Sequence, residues 1–131
     1  MNEIMVKTPS RNCFVSITPQ VEQAVKDSGI SEGMCLIYCP HTTAGITVNE
    51  GADPAVVSDM ETKLNSLIPQ QEGYAHAEGN SDSHIKSTLT GCSETIPVSG
   101  GRLVLGTWQS IYFAEFDGPR QRRILISITG N

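Results

Sequence analysis

Only three histidines occur in these 131 residues, and all fall in two short polar stretches. His76 and His84 lie in Tyr74-Ala75-His76-Ala77-Glu78-Gly79-Asn80-Ser81-Asp82-Ser83-His84-Ile85-Lys86, while His41 opens His41-Thr42-Thr43 directly after Pro40. Imidazole is the side chain best suited to bind a divalent metal or move a proton near neutral pH. Three of them with an open fourth position suit a catalytic zinc. The carboxylates Glu50, Asp53, Glu78 and Asp82 suit a harder ion such as magnesium, and can also orient imidazoles or act as acid and base. His41, His76 and His84 are thus the candidate metal ligands, and with the four carboxylates the candidate catalytic groups. Thr42, Thr43, Asn49, Asn80, Ser83, Lys86 and Arg102 are candidate contacts to phosphate oxygens, Lys86 beside a helix start that favours anions.

Each assignment has a plainer counterpart. The spacing matches neither a zinc finger nor a helical His-x3-His pair, so the histidines can equally be hydrogen-bonded loop and strand-end residues. Asn49 and Asn80 suit turns, Asp53 suits a helix cap, and Lys86 and Arg102 suit solvated surface positions. Trp108, the single tryptophan, fits core or interface better than a stacking platform. Neither a Gly-x-Ser-x-Gly elbow nor a Gly-rich nucleotide loop is present, and no cysteine falls within the histidine stretches, which weighs against covalent and nucleotide-fold chemistry.

The elements that must position these residues are legible in outline. Residues 3–8 and 12–18 alternate as two short strands around a Ser10-Arg11-Asn12 turn. Thr18-Pro19 starts a helix with Val21, Ala24 and Val25 as its apolar stripe, closed by Gly29. The near-continuous apolar run 33–39 predicts a strand buried on both faces, ended by Pro40. Residues 44–49 resume as a strand, so His41 sits at a break between two strands. Asp53-Pro54 starts the strongest helix, with Val56, Val57, Met60, Leu64, Leu67 and Ile68 as a core-facing stripe before Pro69. Periodicity fades over 69–80. Ser81 or Asp82 then caps a short helix whose Ile85 and Leu89 face inward, ending at Gly91. Segments 94–99, 101–105, 109–116 and 122–129 are strands joined by Gly100-Gly101 and Asp117-Gly118-Pro119 turns. The expectation is one α+β domain over 1–131, with a large, mostly antiparallel sheet and two or three helices.

Composition narrows the function classes. A net charge of −5 argues against a nucleic-acid or anionic-membrane binder. The only dense basic run, Arg120-Gln121-Arg122-Arg123, reads as a solvated strand start. No apolar run reaches membrane-spanning length and no leader pattern opens the chain, so a cytoplasmic setting is expected. Cys13, Cys35, Cys39 and Cys92 form no CxxC pair and read as buried free thiols. Cys35 and Cys39 share one strand face, which makes a metal pair conceivable.

Several ordered motifs resemble the YjbQ family, a group labelled as secondary thiamine-phosphate synthases. They are His41-Thr42-Thr43-Ala44-Gly45-Ile46-Thr47-Val48-Asn49-Glu50, Ala52-Asp53-Pro54, the Tyr74–His84 stretch, Gly101-Arg102-Leu103-Val104-Leu105-Gly106-Thr107-Trp108-Gln109 and Phe116-Asp117-Gly118-Pro119-Arg120. The resemblance implies a β-sandwich-like α+β fold and a homotrimer. It also implies a polar pocket near subunit boundaries that gathers the motif histidines around a metal (zinc or magnesium) or an oxyanion. The implied activity is a weak one: coupling a pyrimidine pyrophosphate to a thiazole phosphate with loss of pyrophosphate. Such a reaction asks chiefly for positioning and electrostatics. Two rivals use the same residues: a non-catalytic binder of a metal or phosphorylated metabolite, and a metal-assisted hydrolase.

Overall fold

A computed structural model describes residues 1–131. Eight strands and three helices run in the order β1 (Asn2–Lys7), β2 (Cys13–Ser16), α1 (Thr18–Ser28), β3 (Gly33–Tyr38), β4 (Ala44–Glu50), α2 (Pro54–Leu67), α3 (Ser81–Thr90), β5 (Ser93–Ser99), β6 (Arg102–Leu103), β7 (Gln109–Glu115) and β8 (Gln121–Gly130). They form a five-stranded sheet, β1-β8-β3-β5-β6, and a three-stranded sheet, β2-β7-β4. Every recorded strand pair is antiparallel. The fold is α+β and sandwich-like, as expected.

The core lies between the sheets because the inward phase of each strand is apolar. Cys35, Ile37 and Cys39 continue β3's inward face, Ile124 and Ile126 come from β8, and Ile96 and Val98 from β5. Ala44, Ile46, Ile111 and Phe113 face them from the smaller sheet. Helix α1 closes one side with Val21, Ala24 and Val25, the stripe its spacing predicts. Its Thr18 hydroxyl accepts the Ile111 N–H at 2.8 Å instead of capping the helix, whose N-cap is Ile17.

Several expectations change. Strand β3 alternates instead of being buried on both faces, and Met34, Leu36 and Tyr38 stay exposed. No residue of α2 is buried: the helix lies beside β4, an edge strand of the smaller sheet. Its side chain Asp53 does cap it, accepting the Ala55 N–H at 2.9 Å. In α3 the expected polarity is reversed. Ile85 and Leu89 are exposed, while Asp82, Ser83 and Lys86 are buried. Its N-cap is Asn80, one residue before the expected start. The segment 101–105 is strand only over Arg102–Leu103, with one further bond from the Val104 N–H to the Pro97 carbonyl at 2.8 Å, and Trp108 is exposed. Of the four thiols, Cys35 and Cys39 are buried, Cys13 is half-buried and Cys92 is exposed.

Candidate functional site

The break at Pro40 explains how His41 is held. Continuing the β3–β8 register past Tyr38–Leu125 sets Pro40 opposite Arg123. Proline has no N–H to offer the ladder, and unpaired backbone groups are costly. The His41 ring substitutes: the Arg123 N–H donates to Nε2 at 3.1 Å, and the Arg123 carbonyl O lies 3.0 Å from the same nitrogen. The ring also meets Phe113 edge-on, with centroids 6.3 Å apart. Burial first, then the nearby Arg122 guanidinium, hold the His41 pKa below its ordinary value, so this is a neutral imidazole at pH 7. With Nε2 latched to the backbone, Nδ1 is the ring atom left for a ligand.

Behind His41 sits an ion pair that reading the basic run as solvated missed. Arg122 is only 4% exposed and Glu115 is fully buried. Arg122 donates through Nε to Glu115 Oε1 at 2.8 Å and through Nη2 to Oε2, and Nη2 also donates to Thr43 Oγ1 at 2.8 Å. Glu115 further accepts the Thr8 hydroxyl and the Phe116 and Asp117 N–H groups. Burial alone would raise the Glu115 pKa, but these donors, Arg122 foremost, hold it below the ordinary range. The pair thus fixes Thr43 and the turn that follows β7. Period-2 alternation carried the signal: Glu115 is in phase with Ile111 and Phe113, and Arg122 with Ile124 and Ile126.

Six of the expected site residues meet in one cleft of about 380 Å³. His41, Thr42 and Thr43 line it from one side, and Glu78, Asn80 and His84 from another. Asp117, Arg120 and Arg122, none of them singled out from sequence, join Pro40 to complete the wall. The Phe116-Asp117-Gly118-Pro119-Arg120 motif pointed there. Arg120 bonds back to Asp117 through Nε (2.9 Å to its carbonyl) and Nη2 (3.2 Å to its carboxylate), leaving Nη1 without a partner. Asn80 donates to the Asp117 carboxylate at 2.9 Å, and its own Oδ1 is buried without any donor. His76 lies just outside this cleft. It stacks edge-on against His84, with centroids 5.5 Å apart, and approaches Glu78 at 3.5 Å. Together with Tyr74, Ala75, Ser81 and Ile85, the two rings line an adjoining cavity of about 420 Å³.

The other candidates lie elsewhere in the chain. Asp82 and Lys86 are buried in a polar cluster under α3. Arg11 forks onto Asp82 with two bonds of 3.0 Å, and Lys86 reaches Asp82 (3.6 Å), Asn12 (3.1 Å) and Asn65 of α2 (2.6 Å). Arg11 outweighs the burial of Asp82 and lowers its pKa, whereas burial wins at Lys86 and lowers its pKa despite Asp82. Ser83 donates to the Phe116 carbonyl at 2.6 Å. These three hold the site's scaffold together. Asn49 and Glu50 end β4, roughly 20 Å along the strand from Ala44 at ~3.4 Å per residue. Asp53 follows as the α2 cap. Arg102 lines a separate cavity between α1 and the β5–β6 turn, with Glu22 and Lys26.

No group of three or more His, Cys, Asp or Glu side chains converges on a point where a metal ion could sit. His41 is latched through Nε2, and His76 and His84 meet ring edge to ring face. The residues therefore do not fit the expected three-histidine metal centre. What they do assemble is a cleft rich in donors: threonine hydroxyls, imidazole N–H groups and a guanidinium.

The sequence and the overall fold have counterparts in other proteins. A family model described as UPF0047 protein YjbQ-like matches residues 2–131. A UPF0047 protein of Methanocaldococcus jannaschii is 52% identical over 126 residues, covering 96% of this chain and 91% of that protein. UPF0047 protein YugU of Bacillus subtilis is 47% identical over 131 residues, with 99% of each covered. Among solved structures, an uncharacterised YjbQ/UPF0047 protein of Clostridium acetobutylicum superposes with a TM-score of 0.97 at 49% identity, covering 98% of this chain and 100% of that one. A protein of Sulfolobus solfataricus gives 0.95 at 38% identity, with 99% and 96% covered. With its fold and nearly its whole length matched, the chain belongs to the YjbQ-like UPF0047 family.

Proposed function

We propose that the His41–Arg120 cleft binds the phosphate or pyrophosphate group of a small molecule and catalyses its displacement. The observation that carries this reading is the cleft's lining, which apart from Pro40 is entirely polar or charged and brings His41, His84 and Arg120 to one space. The free Arg120 Nη1, the Thr42 and Thr43 hydroxyls and the neutral His41 ring are suited to oxyanions, which need several preorganised donors. His84, with Glu78 lining the same cleft, is the group best placed to exchange a proton with substrate. Resemblance to the family supports one particular reaction, the coupling of a pyrimidine pyrophosphate to a thiazole phosphate. Departure of pyrophosphate there leaves a cation for the thiazole nitrogen to trap, and the protein's task is to bind the leaving group. Arg120 takes the role that sequence reasoning gave to Lys86, which is buried under α3. The same resemblance supports a homotrimer, and the exposed Met34, Leu36 and Tyr38 on the outer face of the larger sheet support contact with further copies.

Calorimetric titration with inorganic pyrophosphate tests the binding half of this reading. Arg120→Ala is expected to weaken affinity by about 10–150-fold, the value of one charge-assisted bond of about 1.5–3 kcal/mol. Equal binding by wild type and variant would remove Arg120 from the site, and absence of binding by wild type would end the proposal. Binding without turnover of the pyrimidine and thiazole phosphates would instead favour a metabolite-binding protein.

A further inference from the structure

Two cysteines flank the cleft's supporting strands in a way the proposed reaction does not use. Strand pairing sets Tyr38 against Ser93. One step further places Cys39 opposite Cys92, and the Cys39 N–H donates to the Cys92 carbonyl at 2.7 Å. Opposed residues of an antiparallel pair point to the same face with Cβ atoms about 4.5–5.5 Å apart. A hydrogen-bonded pair lies at the wide end of that range and a disulfide requires about 3.5–4.5 Å, so the strand ends must close by about 1–2 Å. Pro40 on one side and Gly91 on the other end the ladder there, where closing is least opposed by further rungs. Neither remaining cysteine has such a partner: Cys35 faces Ile96 and Ile128, and Cys13 faces Glu115. Both Cys39 and Cys92 are free thiols, Cys92 exposed and Cys39 buried.

We infer that Cys39 and Cys92 are a cross-strand redox pair that closes to a reversible intrachain disulfide by exchange with a small-molecule disulfide. The exposed Cys92 thiolate attacks one sulfur of the oxidant, breaking its S–S bond and releasing one thiolate, which takes a proton from water. Cys39 then loses its proton to solvent and attacks Cys92 Sγ, expelling the second thiolate. Two protein thiols are oxidised and one disulfide is reduced to two thiols. Burial, foremost, pushes the Cys39 thiol up to about 11; Cys92 and Glu115 add to this, against the His41 backbone N–H and Arg122. The second step is therefore the slow one, and its rate rises about tenfold per pH unit below that value, with the thiolate fraction. The bond would tether the residue before Pro40-His41 to the segment leaving α3, whose first turn carries His84.

The test is incubation of the full chain with oxidised glutathione, acid quenching, alkylation under denaturing conditions and non-reducing peptide mapping. Expected is one disulfide joining the Cys39 and Cys92 peptides, with the protein lighter by two hydrogens and restored by dithiothreitol. Cys39→Ala should instead keep a glutathione adduct on Cys92. In Cys92→Ser, an exposed substitution that spares the core, Cys39 should stay a free thiol. A wild-type protein that retains glutathione on Cys92 while Cys39 remains alkylatable would overturn the inference. So would a Cys92–Cys92 link between chains.

Discussion

At the scale of single residues, the charge states of a few buried groups decide what the cleft can do. His41 has a folded pKa below its unfolded value of about 6.5. The unfolded chain therefore binds the extra proton first, so this residue's share of stability is complete above about pH 6.5 and falls as pH drops toward the depressed folded value. An NMR titration should place the His41 midpoint below that of a model imidazole. In the His41→Gln variant the corresponding stretch of the stability–pH curve should flatten. Glu115 behaves similarly at lower pH. Its folded pKa is depressed, so stability is present above the ordinary carboxylate range and is lost as pH falls through the folded value. Glu115→Gln strands the buried Arg122 and is expected to cost about 3–5 kcal/mol in denaturant unfolding near neutral pH. It should also loosen Thr43, whose hydroxyl accepts from Arg122.

At the scale of elements, α3 is held by a polar face where an apolar one was expected, and that reversal gives an ordering of mutants. Removing Asp82 leaves both Arg11 and Lys86 without their shared carboxylate, whereas Lys86→Met leaves the Arg11–Asp82 fork intact. Asp82→Ala should therefore destabilise by about 3–5 kcal/mol, and Lys86→Met by clearly less, as compared by urea midpoints. A reversed order would mean that Lys86, not Arg11, is the principal partner of Asp82. The approach of α3 to β4 is equally exact. The Gly91 carbonyl accepts the Ile46 N–H at 3.1 Å, and a Cβ on Gly45 would fall 2.5 Å from that oxygen. Gly45→Ala must push the C-terminal end of α3 away, and is expected to cost about 1–3 kcal/mol, typical of overpacking.

At the scale of the whole molecule, several large apolar side chains stay exposed. Met34, Leu36 and Tyr38 form one exposed row on β3, and Leu67 of α2 and Ile85 and Leu89 of α3 are exposed as well. Exposed apolar rows such as the one on β3 mark contact regions. If the chains assemble through the larger sheet as a trimer, light scattering of the wild type should give a three-chain mass, and Leu36→Lys should reduce it toward one chain with the fold retained by circular dichroism. An unchanged mass in the variant would move the contact to α2 and α3. No helix is long and apolar enough to cross a membrane.

Periodicity and punctuation were enough to place most strands, α1, and the Asp53-Pro54 start of α2, because alternation, proline and glycine act locally. They also located the histidine-bearing segments, and the ordered motifs carried the family. Which candidates share a space was decided only by tertiary packing. His41, Glu78, Asn80 and His84 are far apart in sequence and meet because β4 and α3 pack together, while Asn49 and Glu50 are carried to the far end of β4. Likewise, a lysine or arginine in the sequence reads as surface until a partner appears. Asp82 and Arg11 draw the Lys86 cluster inward, and Glu115, seven residues before Arg122, turns a basic run into a buried ion pair. Burial of a charge depends on what faces it across the core, and that is fixed by the three-dimensional pairing of distant segments.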